Sequence, residues 1–414
     1  MKKRNESPQE LREFLKQEAI ETYLHLERYW NDGSPSGFDA TVGAPYSPFS
    51  DSPSFSLPVH AVDRLQCIQV GDIPYIWAQE ILDAGKIPIP LHPDVQQEII
   101  ERYDRLDGQV HIHLEVVPLA NARTVFPRCE NDTPHFVKLH YPHIIGRFTR
   151  DLYLFKWLSG LENSRELFSI QKRFPSCFGF LHESSGTFVE GTTGNPGFGI
   201  LYREFTPRPR RNHHLMVPAF SLFARRALRK DTRPLLIQLL EKQTSPFEAF
   251  LRDFIHPILI SYTFLVCECG LIPECNAQNI LFELDLSSGD TRFILRDLTD
   301  VFKDLSLRRE LGLHDTFCTY KSIDKKQSKD FFQRRSFAYD FKLGSYLLRP
   351  LAKCFSDEMK IPLSRVIGAI REEARAIWSK YGDYFYPPGR WYAYPPETDV
   401  GRDSYIELDD PTFR

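Results

Sequence analysis

The chain has 414 residues and a formal net charge of −3, with 42% hydrophobic, 13% aromatic and 26% charged residues. That balance excludes a disordered or fibrous protein and leaves no electrostatic footprint for nucleic acid. The length allows about two or three domains, or one large multi-lobed enzyme.

Ser7-Pro8-Gln9-Glu10 is a capping box with proline at the first helical position. Leu11, Phe14, Leu15, Ala19, Tyr23, Leu26 and Trp30 follow at helical spacing, which predicts one amphipathic helix. Residues 31–58 are rich in Gly, Ser, Pro and Asp and read as an extended loop, so the body is expected to begin near Val59. The basic start runs into this charged segment and not into an apolar core, so no export signal is read. The longest uncharged candidate span, Phe254 to Cys267, carries His256 and Pro257 and is too short for a bilayer. A soluble, cytoplasmic protein is expected.

Pro74–Ala84 and Asp94–Leu106 have helical character, and Val110–Val116 alternates as a half-buried strand should. Phe136–Leu139 reads as a strand, His143–Leu158 as a helix, and Phe178–Leu181, Thr187–Glu190 and Gly199–Phe205 as a small antiparallel meander. The glycine-rich segment Gly191–Gly199 lies between strands and does not precede a helix, so it is read as a hairpin loop and not a phosphate loop. Phe247–Gly270 reads as a long apolar helix, Ile280–Phe282 and Phe293–Leu295 as strands around a Ser-Ser-Gly turn, and Ser336–Trp378 as helical. The aromatic, proline-rich tail Tyr381–Pro396 is expected to lie as an ordered strap. Three regions result: 1–58, 59–215 and 216–414.

Glu274-Cys275-Asn276-Ala277-Gln278-Asn279, followed by Arg296-Asp297, places amide and carboxylate oxygens around the predicted hairpin. Magnesium takes hard oxygen ligands and keeps waters and phosphates, so Glu274, Asn279 and Asp297 are candidate metal ligands. The plainer reading is that Asn276, Gln278 and Asn279 cap a tight turn. His111 and His113 fall on the wet face of a strand, so they and His135, His140 and His143 are not read as a metal cluster. The eight cysteines, Cys267, Cys269 and Cys275 included, match no zinc, iron-sulfur or disulfide spacing and read as reduced thiols.

Several segments, in order, resemble the IucA/IucC-type siderophore synthetases, ATP-dependent ligases that build carboxylate siderophores without a peptide-synthetase template. Ile87–Pro93 is similar to the family's His-Pro segment, and Asn121-Ala122-Arg123-Thr124 to its Ser-x-Arg-Thr motif. Lys138-Leu139 with Ile145 and Arg150 is similar to its Lys-Leu strand and the following Ile-Thr-x-x-x-Arg. Glu183 and Leu201-Tyr202-Arg203-Glu204 resemble a hairpin in the middle of the family. Gly270–Asn279 resembles Gly-(x)3-Glu-x-His-x-Gln-Asn, with Arg296-Asp297 as its Arg-Asp. The resemblance covers about residues 85–350. The chain departs from the pattern at Asn276 for a histidine, Asn121 for a serine and Gly146 for a threonine, and Gly43–Pro48 is at best a relic of an N-terminal Gly-His-Pro segment.

The resemblance implies an α+β, cupped-hand fold with fingers and palm, mixed and antiparallel sheets, and flanking helices. It implies ATP and Mg2+ as cofactors, and a small carboxylic acid plus an amine or alcohol as substrates. Arg123, Lys138 and Arg150 become the catalytic clamps. His92, Asn121, Thr124, Asn276, Gln278, Asn279 and Arg296 join them around the nucleotide. A homodimer is the family tendency; no nucleic acid or membrane partner is expected. Two further readings stay open: a non-catalytic nucleotide- or carboxylate-binding homologue that regulates a synthetase, and a small-molecule kinase.

Overall fold

The computed structural model describes residues 11–14, 17–32, 44–129, 132–145, 148–192, 194–211, 215–225, 232–285, 288–313, 320–385, 389–395 and 405–414. The capping box at Ser7, Gly43 of the Gly43–Pro48 segment, Gly146, Cys318 and parts of the strap lie outside the described residues.

The first body is an eight-stranded sheet. Its strands are β1 (Phe55–Asp63), β2 (Cys67–Val70), β3 (Lys86–Pro90), β4 (Ile112–Pro118), β5 (Thr124–Pro127) and β6 (His135–Lys138), then β10 (Glu183–Val189) and β11 (Phe198–Glu204). The spatial order is β2-β10-β11-β6-β5-β4-β1-β3, and every pairing is antiparallel. The alternation read at β4 is present: His111 and His113 are exposed while Leu114 and Val116 are buried. Strand β1 starts at Phe55, four residues before the expected start of the body, because its first residues pair with Val116, Glu115 and Leu114 of β4. The preceding loop is gathered by Arg28, whose guanidinium donates to the carbonyls of Pro48, Ser50, Ser52 and Pro53.

Between β6 and β10 the chain departs from the expected helix at His143. Tyr141–Ile145 (β7) and Phe148–Arg150 (β8) form a small antiparallel hairpin, and the helix runs from Leu154 to Ile170. The carbonyls of Arg150 and Asp151 accept from Arg123, a bond that continuing the helix through them would compete with. The expected meander is also redistributed. Phe178–Phe180 (β9) pairs in parallel with Thr291–Leu295 (β15), while β10 and β11 belong to the first sheet.

The second sheet has the order β12-β14-β15-β9, with β12 at Leu215–Pro218 and β14 at Ile280–Leu284. A three-stranded sheet follows, β13 (Leu271–Ile272), β16 (Phe302–Asp304) and β17 (Ser322–Ile323). Because β9 leads through Leu181 directly into β10, one short stretch ties the two larger sheets together. Tyr23, Leu119, Phe136, Leu181, Phe205, Leu281 and Ile294 form an apolar cluster between them. The N-terminal segment is two helices, Leu11–Phe14 and Ala19–Tyr29, and not one, with Glu18 extended between them.

The rest is helical, as the sequence pattern suggests. Pro246–Glu268 is one helix, long and apolar enough to cross a membrane by composition, yet 72% of its apolar window is buried inside the protein. It is a core helix packed by Phe254, Leu259 and Tyr262. Phe331–Met359 and Leu363–Trp378 are separated at Lys360, which takes the left-handed conformation at φ 57°. The strap is ordered where described: Arg390–Ala393 (β18) pairs with Ile406–Asp409 (β19), and Tyr394 packs on Phe337.

Candidate active site

The site lies where the end of β6 in the first sheet faces the end of β15 in the second. Lys138 closes β6 and stands in register with Thr124 of β5 on one side and Leu201 of β11 on the other. Arg203 is two residues beyond Leu201, so alternation puts it on the face that carries Lys138. Arg203 pairs across strands with Glu183 of β10.

The loop from Leu119 to Thr124 presents Arg123. Asn121 accepts from the Thr124 N–H and donates to the Thr124 hydroxyl, both at 2.8 Å, while Ala122 is held at φ 62°. A non-glycine residue in that region is strained, so the Asn121 bridge stabilises the turn against relaxation. Arg123 is 4% exposed and donates to the carbonyls of Arg150 and Asp151. Burial, reinforced by the nearby Arg150 charge, lowers its pKa to about 10. The Arg150 side chain itself donates to the Ile145 carbonyl at 3.0 Å. His92 is fully buried against Tyr46, Phe55 and Tyr141, and burial lowers its pKa to about 4 although Asp94 opposes this. It is therefore a neutral packing group beneath the site.

Lys138 is 1% exposed and donates to both Asp297 oxygens, at 2.8 and 3.0 Å, and to Thr299 Oγ1 at 2.7 Å. Burial lowers its pKa to about 8; Asp297 pulls it up and Arg123 pushes it down. Burial acts to raise the Asp297 pKa, but Lys138, Arg203 and Arg123 outweigh it and keep the carboxylate ionised well below its ordinary range. Asp300 is likewise held low, against burial, by Lys321 at 2.6 Å and by Lys156. Three buried cations, Lys138, Arg203 and Arg123, thus converge on Asp297.

The second sequence cluster is arranged differently. Asn276 Oδ1 accepts from the N–H groups of Gln278 and Asn279, and Asn279 Nδ2 donates to the Glu274 carbonyl, so this loop is a capped turn. The Glu274 carboxylate pairs with Lys342 at 2.9 Å. Arg296 points the other way, under the helix Ala19–Tyr29, donating to both Glu27 oxygens, to Tyr23 and to the Gln278 carbonyl. Arg123, Lys138 and Asp297 are brought together; Arg296 is not part of that group, and Asn276 serves the backbone.

No protein-family model and no curated protein matches the sequence. Solved structures do match the fold. The petrobactin biosynthesis protein AsbB from Bacillus anthracis str. Sterne superposes with a TM-score of 0.72 at 18% identity, covering 94% of this chain and 75% of that one. Aerobactin synthetase IucC from a hypervirulent pathotype of Klebsiella pneumoniae gives 0.70 at 15% identity, covering 90% and 71%. ATP-bound aerobactin synthetase IucA from the same source gives 0.68 at 13% identity, covering 89% and 71%.

The chain has the siderophore-synthetase fold. The expected α+β architecture of mixed and antiparallel sheets flanked by helices is the one observed. Within it, Arg203, Thr299, Asp300 and Lys321 join the site without having been singled out in the sequence as site residues. The signal for two of them was present: Asp297-Leu298-Thr299-Asp300 puts three oxygen-bearing side chains just past a strand end.

A resident magnesium ion fits this donor set poorly. Among the described residues no three His, Cys, Asp or Glu side chains converge as a metal cage. Both Asp297 oxygens are occupied by the Lys138 ammonium, and Glu274 by that of Lys342. The oxygens are matched to ammonium groups.

Proposed function

We propose that the protein is an ATP-dependent ligase that adenylates a carboxylic acid and condenses it with an amine or alcohol, in siderophore or related secondary metabolism. The observation that carries this reading is the buried convergence of Arg123, Lys138 and Arg203 around Asp297, within a fold whose solved examples include an ATP-bound synthetase. Two anions must meet in such a reaction, and fixed cations lower the repulsion between them.

ATP enters as its magnesium complex, the ion being part of the substrate. Arg123 presents a planar fork suited to a phosphate or a carboxylate, and Lys138 a point charge. A carboxylate oxygen of the acid attacks the α-phosphorus; the bond to the bridging oxygen breaks and pyrophosphate leaves. The nitrogen or oxygen of the second substrate then attacks the acyl carbon, AMP departs with the electron pair, and the attacking group loses a proton. Holding the partners in line is the protein's main contribution. We assign Arg150 at the hairpin and Thr124 beside Arg123 to orienting them. Asn279, Gln278 and Glu274 line the neighbouring turn, and we assign them to positioning and not to metal ligation.

A second reading, a ligand-binding homologue without turnover, is favoured by Asn276, whose side chain is committed to the turn where the resemblance expects a histidine. One assay separates the readings. Pure protein is incubated with magnesium ATP and panels of di- and tricarboxylic acids, amines and alcohols, and nucleotide products are recorded. AMP with pyrophosphate supports the ligase; ADP alone would indicate a kinase; ATP binding with neither product across the panel would leave the non-catalytic homologue.

A further inference from the structure

Behind Asp297 the charges continue inward. Arg203 Nη2 lies 4.0 Å from Asp297 Oδ1 and 2.5 Å from Glu183 Oε1. Glu183 is 1% exposed and Arg203 3%. Four alternating charges therefore run in one line: Glu183, Arg203, Asp297, Lys138. Among the described residues Glu183 Oε2 and Arg203 Nε lack hydrogen-bond partners. A buried ion pair left partly unsatisfied is costly, and replacing it with apolar groups would often be neutral or stabilising, so stability does not account for it.

The surroundings are shaped around this pair. A methyl group on Gly160, in the helix Leu154–Ile170, would meet Glu183 Oε2 at 2.5 Å and Thr299 Cγ2 at 2.8 Å. Glycine lets the helix close directly over Glu183 and Thr299, the two residues flanking the Arg203–Asp297 contact. Asp297 is additionally pinned by the N–H and hydroxyl of Thr299, at 3.1 and 2.8 Å.

We infer that Glu183 and Arg203 are positioning residues that hold Asp297 aimed at Lys138, and so fix the Lys138 ammonium in the site. The inference deepens the proposed ligase reading and rests on it for the role of Lys138. Without the Glu183 charge, Arg203 takes Asp297 as its nearest counter-ion, Asp297 turns toward it, and Lys138 loses hydrogen bonds. The groups facing Lys138 are Asp297 and Thr299 from the segment after β15, Arg203 from β11, Glu183 from β10 and Arg123 from the loop before β5. Removing Glu183 takes away an anion and pulls a second one off, so both effects make Lys138 release its proton at lower pH.

The test uses the full chain with lysine-selective isotope labelling, with Lys138 assigned by Lys138→Arg, and follows the Lys138 ammonium by NMR from pH 6 to 10 without ligand. Glu183→Gln is expected to move the midpoint down by about half a unit or more, and Glu183→Asp to restore most of the wild-type value. Should Glu183→Gln fail to fold, Arg203→Gln, which removes a cation near Lys138, is expected to move the midpoint up. An unchanged midpoint in whichever variant folds overturns the inference. ATP affinity in Glu183→Gln should already lie below wild type at pH 6, where the misplaced ammonium is still charged, and fall by about a further threefold near pH 9, the equivalent of half a unit. A loss of the same size at every pH, with no further fall near pH 9, marks a merely structural role and also overturns it. A wild-type protein that binds no ATP defeats the proposed activity, while the NMR midpoint still decides the positioning role.

Discussion

Asp297 takes the Lys138 ammonium on both carboxylate oxygens, at 2.8 and 3.0 Å, across 159 residues of sequence. This contact closes the interval between the two larger sheets and places a cation at the end of β6. Substituting Lys138→Ala or Arg123→Ala should each weaken ATP binding at least about tenfold, read by calorimetry near pH 7. Wild-type affinity in both would remove these residues from the site.

Stability and nucleotide binding should respond to pH in opposite directions around this lysine. Its folded pKa of about 8 lies below the ordinary 10.5. Between those values the unfolded chain binds the extra proton, so the Lys138 contribution to stability rises as pH increases through that window. The ammonium that a phosphate would contact is lost over the same window, so ATP affinity falls. Asp297, with its folded pKa depressed, contributes stability that is full above its unfolded value and is lost as pH drops through the folded one. Denaturation and calorimetry at pH 7, 8, 9 and 10 check the divergence; parallel curves would contradict it.

Arg296 is assigned to the fold and not to the nucleotide. Glu27, 1% exposed, and Tyr23 take its guanidinium; burial works against the charge, and Glu27 and Tyr23 more than restore it. Arg296→Ala strands a buried carboxylate and should destabilise the protein by about 3 kcal/mol or more by urea denaturation. Folded Arg296→Ala should retain ATP affinity within about twofold of wild type. Full stability with lost affinity would reverse the assignment.

Asn276 gives a smaller effect. Asn276→Ala removes the acceptor for two backbone N–H groups and should lower stability by about 1 to 2 kcal/mol. Asn276→His should show a similar loss, because an imidazole does not reproduce the amide oxygen that caps the turn. Unchanged unfolding midpoints in both would show that the turn holds without the cap.

What the sequence made legible was local. Alternation in β4, the strands β14 and β15, and the helices from Ser336 to Trp378 rest on spacing alone, and Arg123, Thr124 and Lys138 fall at or beside strand ends where short-range order places them. What it left hidden depends on distant partners. The helix expected at His143 gives way to a hairpin whose outgoing carbonyls serve Arg123, and the end of β9 joins a strand more than a hundred residues away. Asp297 reads as a metal ligand by residue type because nothing nearby in sequence shows that Lys138 occupies it, and Arg296 reads as a nucleotide contact because Glu27 lies 269 residues earlier.

The most direct measurement of the central claim uses a carboxylic acid labelled with oxygen-18 in its carboxylate, turned over with magnesium ATP and an amine. Attack on the α-phosphorus transfers one labelled oxygen to AMP, so AMP two mass units heavier, with unlabelled pyrophosphate, is the expected result. Label in inorganic phosphate released with ADP, or no label transfer during turnover, would contradict an acyl-adenylate ligase.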